Sequence, residues 1–272
     1  MILRTLRRLS FREMVLYESM KFIGVDLGWI SGASGLCCLT LEQNALSLSA
    51  LDCKATIEEV LRWIENVAPK GEPAIVAVDA PTLIPNEKGM RAPDRLAHKY
   101  FGKYHAGCYP ANLGRPFAER LLQFGKSLEE REFVHAPTIE PKKAGRYQIE
   151  VFPHPAMVQL FGLPRILKYK KGRLVERRKG LEELRSHILT QLPKQNPPLH
   201  IQNLPAIPTT GKALKTLEDK LDSIICAYVA AHWWFWGCDR NQVLGSLQDG
   251  YIVVPCPPDA PEPKSTFASP SA

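Results

Sequence analysis

Two short apolar runs that each end on an aspartate constrain this chain more than any other feature. Residues 21–27 (KFIGVDL) and 73–79 (PAIVAVD) hold almost no polar side chain before Asp26 and Asp79. Runs this short and this apolar read as strands buried on both faces, the kind found in α/β sheets covered by helices on either side. If the two strands are parallel neighbours, both carboxylates emerge at one carboxyl-terminal edge, where open α/β sheets place their ligands.

The stretches around them extend the pattern. Residues 32–41 and 45–53 are strand-like and joined around Glu42, Gln43 and Asn44, which predicts an antiparallel meander with the first run. Residues 56–68 switch to helical spacing, with Ile57, Val60, Leu61 and Ile64 on one face behind a Thr56/Glu59 capping box. Residues 81–116, rich in Pro, Gly, Arg, His and Tyr, read as a long structureless insert of the kind that usually carries function. Beyond it we expect a helix at 117–128, a strand at 147–152 ended by Pro153, a short helix at 156–161 and a helix at 181–192. Residues 197–210 carry four prolines and read as a linker or lid, 211–236 as a long apolar helix, and 251–254 as a last strand. Trp233, Trp234 and Trp236 at the end of that helix read as core or an oligomer contact, and no pattern defines an oligomeric state.

Composition narrows the class. With 272 residues and 45% hydrophobic content the chain can bury a substantial core. A net charge of +7 makes a polyanionic partner plausible without deciding the question. The seven cysteines show no metal-binding spacing and are odd in number, so free thiols in a reducing cytoplasm are expected. No apolar run reaches the roughly 20 residues that span a bilayer, so no membrane partner is expected. Glu13 and Glu18 argue against reading Arg4, Arg7, Arg8 and Arg12 as a transit peptide.

Further acids accompany Asp26 and Asp79. Glu150 lies in a further strand, at 147–152, and Asp219 and Asp222 stand three apart on one face of the long helix. Two carboxylates about 4 Å apart repel by roughly 4 kcal/mol at an effective dielectric near 20, so a cluster needs a neutralising partner. Hard oxygen donors around an open cavity suit Mg²⁺ or Mn²⁺, and ions paired about 3.5–4 Å apart can activate water against a phosphodiester. The plainer reading of each acid alone is a turn or helix cap, or a solvated helix residue.

Four blocks in order, GVDLGW at 24–29, VDAP at 78–81, EVFPHP at 150–155 and EDKLDSIICAY at 218–228, resemble the DUF429 group of predicted RNase H-like nucleases. A weaker fifth block, DGYIVVP at 249–255, closes the set. The resemblance implies an RNase H-like mixed α/β fold, an antiparallel three-strand meander plus parallel strands flanked by helices, with the Asp26 and Asp79 strands adjacent. It also implies a metal site of Asp26, Asp79, Glu150 and Asp222, with Asp219 as a neighbour. Asp222-Ser223 departs mildly from the Asp-Ala that many members carry. On this reading residues 1–20 are an N-terminal extension or over-called start, 21–256 the domain with insertions near 81–116 and 163–212, and 257–272 a disordered tail.

Other residues fit such a site. Arg91, Arg95 and Arg115 can clamp a phosphate, or Arg91 can simply pair with Asp94. His105 or His154 can act as a general acid, or can be structural. The basic run of Arg165, Lys168, Lys170, Lys171, Arg173, Arg177, Arg178 and Lys179, opposed only by Glu176, can hold nucleic acid with Tyr169 stacking on a base, or be a solvated face. The expected function is a two-metal nuclease. The alternatives are a catalytically silent nucleic-acid or nucleotide-binding module and an actin-like phosphotransferase. The last is disfavoured because Trp29 stands where a Ser- or Thr-rich phosphate turn is needed and no second DxG motif occurs.

Overall fold

A computed structural model describes residues 20–30 and 32–257. The expectations for residues 1–19 and for the tail from 258 onward lie outside the described residues.

The centre is a mixed sheet of seven strands in the order β5-β6-β4-β1-β2-β3-β7. β1 (Lys21–Asp26), β2 (Ser34–Glu42) and β3 (Ala45–Lys54) form the antiparallel meander, its turn made at Gln43 and Asn44, which take positive φ angles. β4 (Ala74–Val78) pairs parallel to β1, and β6 (Arg146–Glu150) parallel to β4. This is the RNase H-like arrangement that the family resemblance implies. Two short strands were not expected: β5 (Val134–His135) beside β6, and β7 (Leu199–His200), which lies within the proline-rich linker and pairs with β3.

Both sheet faces are covered, which is why the central strands are apolar throughout. On one face α1 (Ile57–Val67) and α3 (Ala118–Glu129) bury Val60, Leu61, Ile64, Leu121, Phe124 and Leu128 against Ile23, Val25, Val76 and Val78. On the other, α4 (Pro153–Phe161), α5 (Leu174–Gln191) and α6 (Gly211–Trp236) pack on Phe22, Cys37, Ile75 and Ala77. The α1 capping box is formed: Glu59 N–H donates to Thr56 Oγ1 at 3.2 Å, and Thr56 N–H to Glu59 Oε2 at 3.0 Å. Trp233 and Trp234 are fully buried in the α6 core. Among the described residues no helix is long and apolar enough to cross a membrane, and all seven cysteines are free.

The insert at 81–116 is less irregular than its composition suggests. It contains α2 (Ala92–Phe101), and Ala97 and Phe101 pack on a separate hairpin of β8 (Asn241–Ser246) and β9 (Gly250–Pro255). Helical periodicity was hidden there by the Pro93 start and by the polar face of Arg95, His98 and Lys99. α4 begins at Pro153 rather than at 156, since proline fits the first turn of a helix. α5 begins at Leu174, so Arg177, Arg178 and Lys179 lie on a helix and not in a basic loop.

Helix α6 lies directly on the strand backbones. A Cβ added at Gly24 would stand 1.9 Å from Ser223 O, and one at Gly35 would stand 1.9 Å from Asp219 O. Gly24→Ala therefore must push the helix off the sheet, and we expect a loss of about 3 kcal/mol or more in urea unfolding. Gly102→Ala, where an added Cβ meets nothing within 4 Å, should change stability little in the same measurement.

Candidate functional site

Strand register sets the positions of the acids. Val25 pairs with Val78, and the Asp79 N–H donates to Val25 O at 2.8 Å, so Asp26 and Asp79 stand side by side one step beyond. Side chains alternate along a strand, so both aspartates share the face of Phe22, Ile75 and Ala77, which α6 covers. Gly35 is the β2 partner of Asp26. Having no side chain there, β2 lets the α6 backbone settle at Asp219, which brings Asp219 and Asp222 over the same edge. Asp26 lies within hydrogen-bonding reach of both Asp79 and Asp219.

The cation that reaches in among these acids is Lys170, whose side chain is 32% exposed. Its Nζ stands 2.7 Å from Asp222 Oδ2, and its neighbour Tyr169 donates its hydroxyl to Asp222 Oδ1 at 2.7 Å. Both oxygens of the fully buried Asp222 are thus engaged. The segment that delivers them is held in place: Arg177 Nε donates to Tyr169 O at 3.1 Å, and Gly180 lets α5 close against the Lys168 carbonyl. Lys215 pairs with Asp219 at 2.6 Å and with Glu218 at 2.7 Å, and Glu218 also meets Arg177 at 3.2 Å.

The electrostatics follow from this crowding. Burial, then the neighbouring Asp222, push Asp26 well above its ordinary range, against the pull of Lys170. Asp79 is pushed up to about 7, by burial first and then by Asp222. Asp219 is raised by burial in spite of Lys215. Burial works against the Lys170 charge, but Asp222 and Asp26 outweigh it and hold the ammonium charged. The site carries more negative charge than its own cations neutralise.

Glu150 departs from the expected set. It pairs with Val78, one residue out of phase with Asp79, so it shares the Val25 and Val78 side of the sheet instead of the aspartate side. There Arg91 grips it with two hydrogen bonds, at 2.7 Å from Nη1 to Oε2 and 2.6 Å from Nη2 to Oε1. The same Nη2 donates to Asp94 Oδ1 at 2.8 Å, and Asp94 Oδ2 accepts the Ala111 N–H. Burial raises the Glu150 carboxyl to about 7, while the two acids hold Arg91 charged against burial. Arg91 is 3% exposed and fully engaged, so it is not a free phosphate clamp.

The other expected residues scatter. Arg95 is exposed and donates to the Met90 carbonyl, and Arg115 lies over the Tyr109 ring at 5.1 Å. His105 is exposed with φ at 63°. His154, in the first turn of α4, is pushed down to about 4 by burial and then by Lys170, so at neutral pH it is uncharged and unsuited to act as a general acid. Tyr169 is fully buried and cannot stack on a base. Lys171 and Arg173 are exposed, and Arg165, Lys168, Lys171 and Lys179 line a groove of about 610 Å³ beside the acids' counter-cation. The pairing of Lys170 and Tyr169 with Asp222, more than fifty positions away, left no short-range signal.

The donors fit a hard divalent ion in chemistry, being all oxygen and in excess of their counter-charge. Their spacing does not close on one as they stand, since among the described residues no three acidic, imidazole or thiol groups converge as a ligand set.

A mixed-sheet α/β protein with a carboxylate cluster at one sheet edge is the class that these features define. The chain belongs to the DUF429 family, described as proteins of unknown function, whose model matches residues 24–244. Among solved structures, the fowlpox virus resolvase, in complex with its substrate Holliday junction DNA, is similar over 79% of this chain and 95% of that one. That likeness has 11% identity and a TM-score of 0.31. No curated protein matches.

Two measurements test the site's electrostatics. Asp79 takes up its proton near pH 7 when folded and near 3.8 when unfolded, so stability gained below that window is lost as pH rises through 7. Without divalent ions, Asp79→Asn should therefore be about 1 kcal/mol more stable than the parent at pH 8, the full linkage being reduced by solvent at a half-open edge. The gain should shrink as pH falls below 7 and vanish only near the unfolded value of 3.8; an Asp79 that only capped a turn would give a loss at both ends. Arg91→Met leaves two buried carboxylates unpaired, and urea unfolding should register a loss of about 3–5 kcal/mol.

Proposed function

We propose that this protein is a divalent-metal-dependent nuclease, hydrolysing phosphodiester bonds of nucleic acid with Mg²⁺ or Mn²⁺. The observation that carries the reading is the gathering of Asp26, Asp79, Asp219 and Asp222 at one sheet edge, beside a surface of exposed lysine and arginine. Carboxylates so crowded that Asp26 is held well above its ordinary range and Asp79 is raised to about 7 are a standing cost to the fold, which a structural role does not explain. Bound ions would supply an activated water and neutralise charge on the phosphate. Asp26, Asp79 and Asp222, with Asp219, would hold them. Glu150 would act through Arg91, keeping the β6 end and the 81–116 segment in position beside Asp79.

Substrate would lie along the groove of Arg165, Lys168, Lys171 and Lys179, with Arg173 close by in sequence. Such contacts to phosphates make binding fall steeply with salt. A nucleic-acid-binding module without cleavage is the second reading, favoured by the engagement of both Asp222 oxygens.

The test is cleavage of labelled single- and double-stranded DNA and RNA with Mn²⁺, Mg²⁺ or EDTA, using the parent and Asp26→Asn. We expect metal-dependent cleavage that falls by at least about 100-fold in the variant. Retention of nucleic acid with no cleavage under any ion supports the silent module, and equal cleavage by both proteins places the activity elsewhere.

A further inference from the structure

We propose that Tyr109 is a stacking platform for an unpaired base of nucleic acid, so that the substrate is single-stranded or has a base turned out. This deepens the reading above and rests on it for the class of ligand.

Tyr109 is 59% exposed, yet the segment that carries it is firmly held. Asn86 Nδ2 donates to Ala111 O at 3.1 Å, Asn112 Nδ2 to Gly89 O at 2.8 Å, and the Leu113 N–H to Asn86 O at 2.9 Å. The Tyr109 ring meets Phe117 edge to face at 6.2 Å, and the Arg115 guanidinium lies over it at 5.1 Å. Phe117 is buried and meets Trp29 in the same manner at 4.8 Å. Trp29 in turn donates its Nε1–H to Asp79 O at 3.0 Å, and Arg120 Nε steadies the preceding turn at Gly28 O. A chain of ring contacts therefore runs from the backbone of one site acid out to an open aromatic ring.

A nucleobase matches this surface. Isolated apolar side chains on a surface are ordinary. Tyr109 differs in being fixed before any ligand arrives, so stacking on it costs little further freedom. Every base has a flat π face, and each carries a phosphate with it. Arg115 pairs with no carboxylate among the described residues, which leaves its charge for that phosphate. A duplex keeps its bases stacked inside and offers the platform only sugar and phosphate, so the ring selects unpaired bases. The basic groove is joined to the same segment, since the Ile166 N–H in its wall donates to Tyr104 O at 3.0 Å. One strand can then have phosphates in the groove and a base on Tyr109.

The experiment separates bases from backbone. Fluorescence anisotropy at fixed salt, in EDTA and then in Ca²⁺, follows labelled oligothymidylate, an abasic oligomer of equal length and charge, and a duplex. The proteins are the parent, Tyr109→Ala and Tyr109→Phe, with near-ultraviolet circular dichroism confirming each fold. The parent should bind oligothymidylate about tenfold more tightly than the abasic oligomer. Tyr109→Ala should lose that preference and keep its affinity for the abasic probe, and Tyr109→Phe should retain both. Equal binding of the two single strands by the parent overturns the proposal. So does a loss in Tyr109→Ala that is the same on both probes. The nuclease reading stands or falls by cleavage in either case. The expected preference without cleavage under any ion upholds the platform and removes the nuclease. No binding of any probe by the parent removes the nucleic-acid reading and this inference together.

A second readout needs no variant. An oligonucleotide carrying 5-iodouracil is photolysed with the parent and the adduct is mapped by mass spectrometry. An adduct at Tyr109 is expected, and adducts confined to other residues overturn the proposal.

Discussion

Two residues without side chains, Gly24 on β1 and Gly35 on β2, let the backbone of α6 rest directly on the sheet, and the site's geometry depends on that seating. A helix held off by ordinary side chains at these two positions would stand too far from the sheet for short acidic side chains on both to meet. Here the carbonyl oxygens of Asp219 and Ser223 occupy the space of the missing Cβ atoms, and Asp219 and Asp222 come down onto the edge where Asp26 and Asp79 end their strands. The apolar packing of α6 around Trp233 and Trp234 anchors the far end of the same helix, so the contact at the glycines is held from a distance by the core.

Bringing like charges together has a cost that the rest of the site manages. Lys170 and Lys215 neutralise part of it, and partial protonation of Asp26, Asp79 and Asp219 takes up more. On the opposite side of the sheet Arg91 is sandwiched between Glu150 and Asp94, a balanced triad that ties the 81–116 segment to β6. The two arrangements differ in kind. The triad is closed, with its donors and acceptors matched, whereas the aspartate cluster, partly open at Asp26 and Asp79, is short of positive charge. Excess charge at an open edge is where a further cation is stabilised most.

Much of this was legible in the chain. Asp26 and Asp79 stood out because each is the one acid closing an otherwise apolar run, and parallel pairing follows from both runs being buried on two faces. The Thr56/Glu59 cap and the extent of α6 were local signals and came out as expected. Glu150 stands on the face opposite the aspartates: a strand reads the same from sequence whichever face a residue takes, and only the register against β4 puts it with Val78 and away from Asp79. The basic run looked uniform, yet Lys170 turned inward while Lys168 and Lys171 on either side stayed exposed. β5, β7 and β8 were too short or too polar to show the alternation that marks a strand.

By itself, then, the sequence determined which segments become buried strands and helices, and which acids stand at their ends, because hydrophobic periodicity and capping are properties of neighbouring residues. Tertiary structure alone decided which acids face one another and which cation each receives. Those are contacts between residues dozens to more than a hundred positions apart, set by strand register and by how closely a helix approaches a bare patch of sheet, and no short stretch of the chain carries that information.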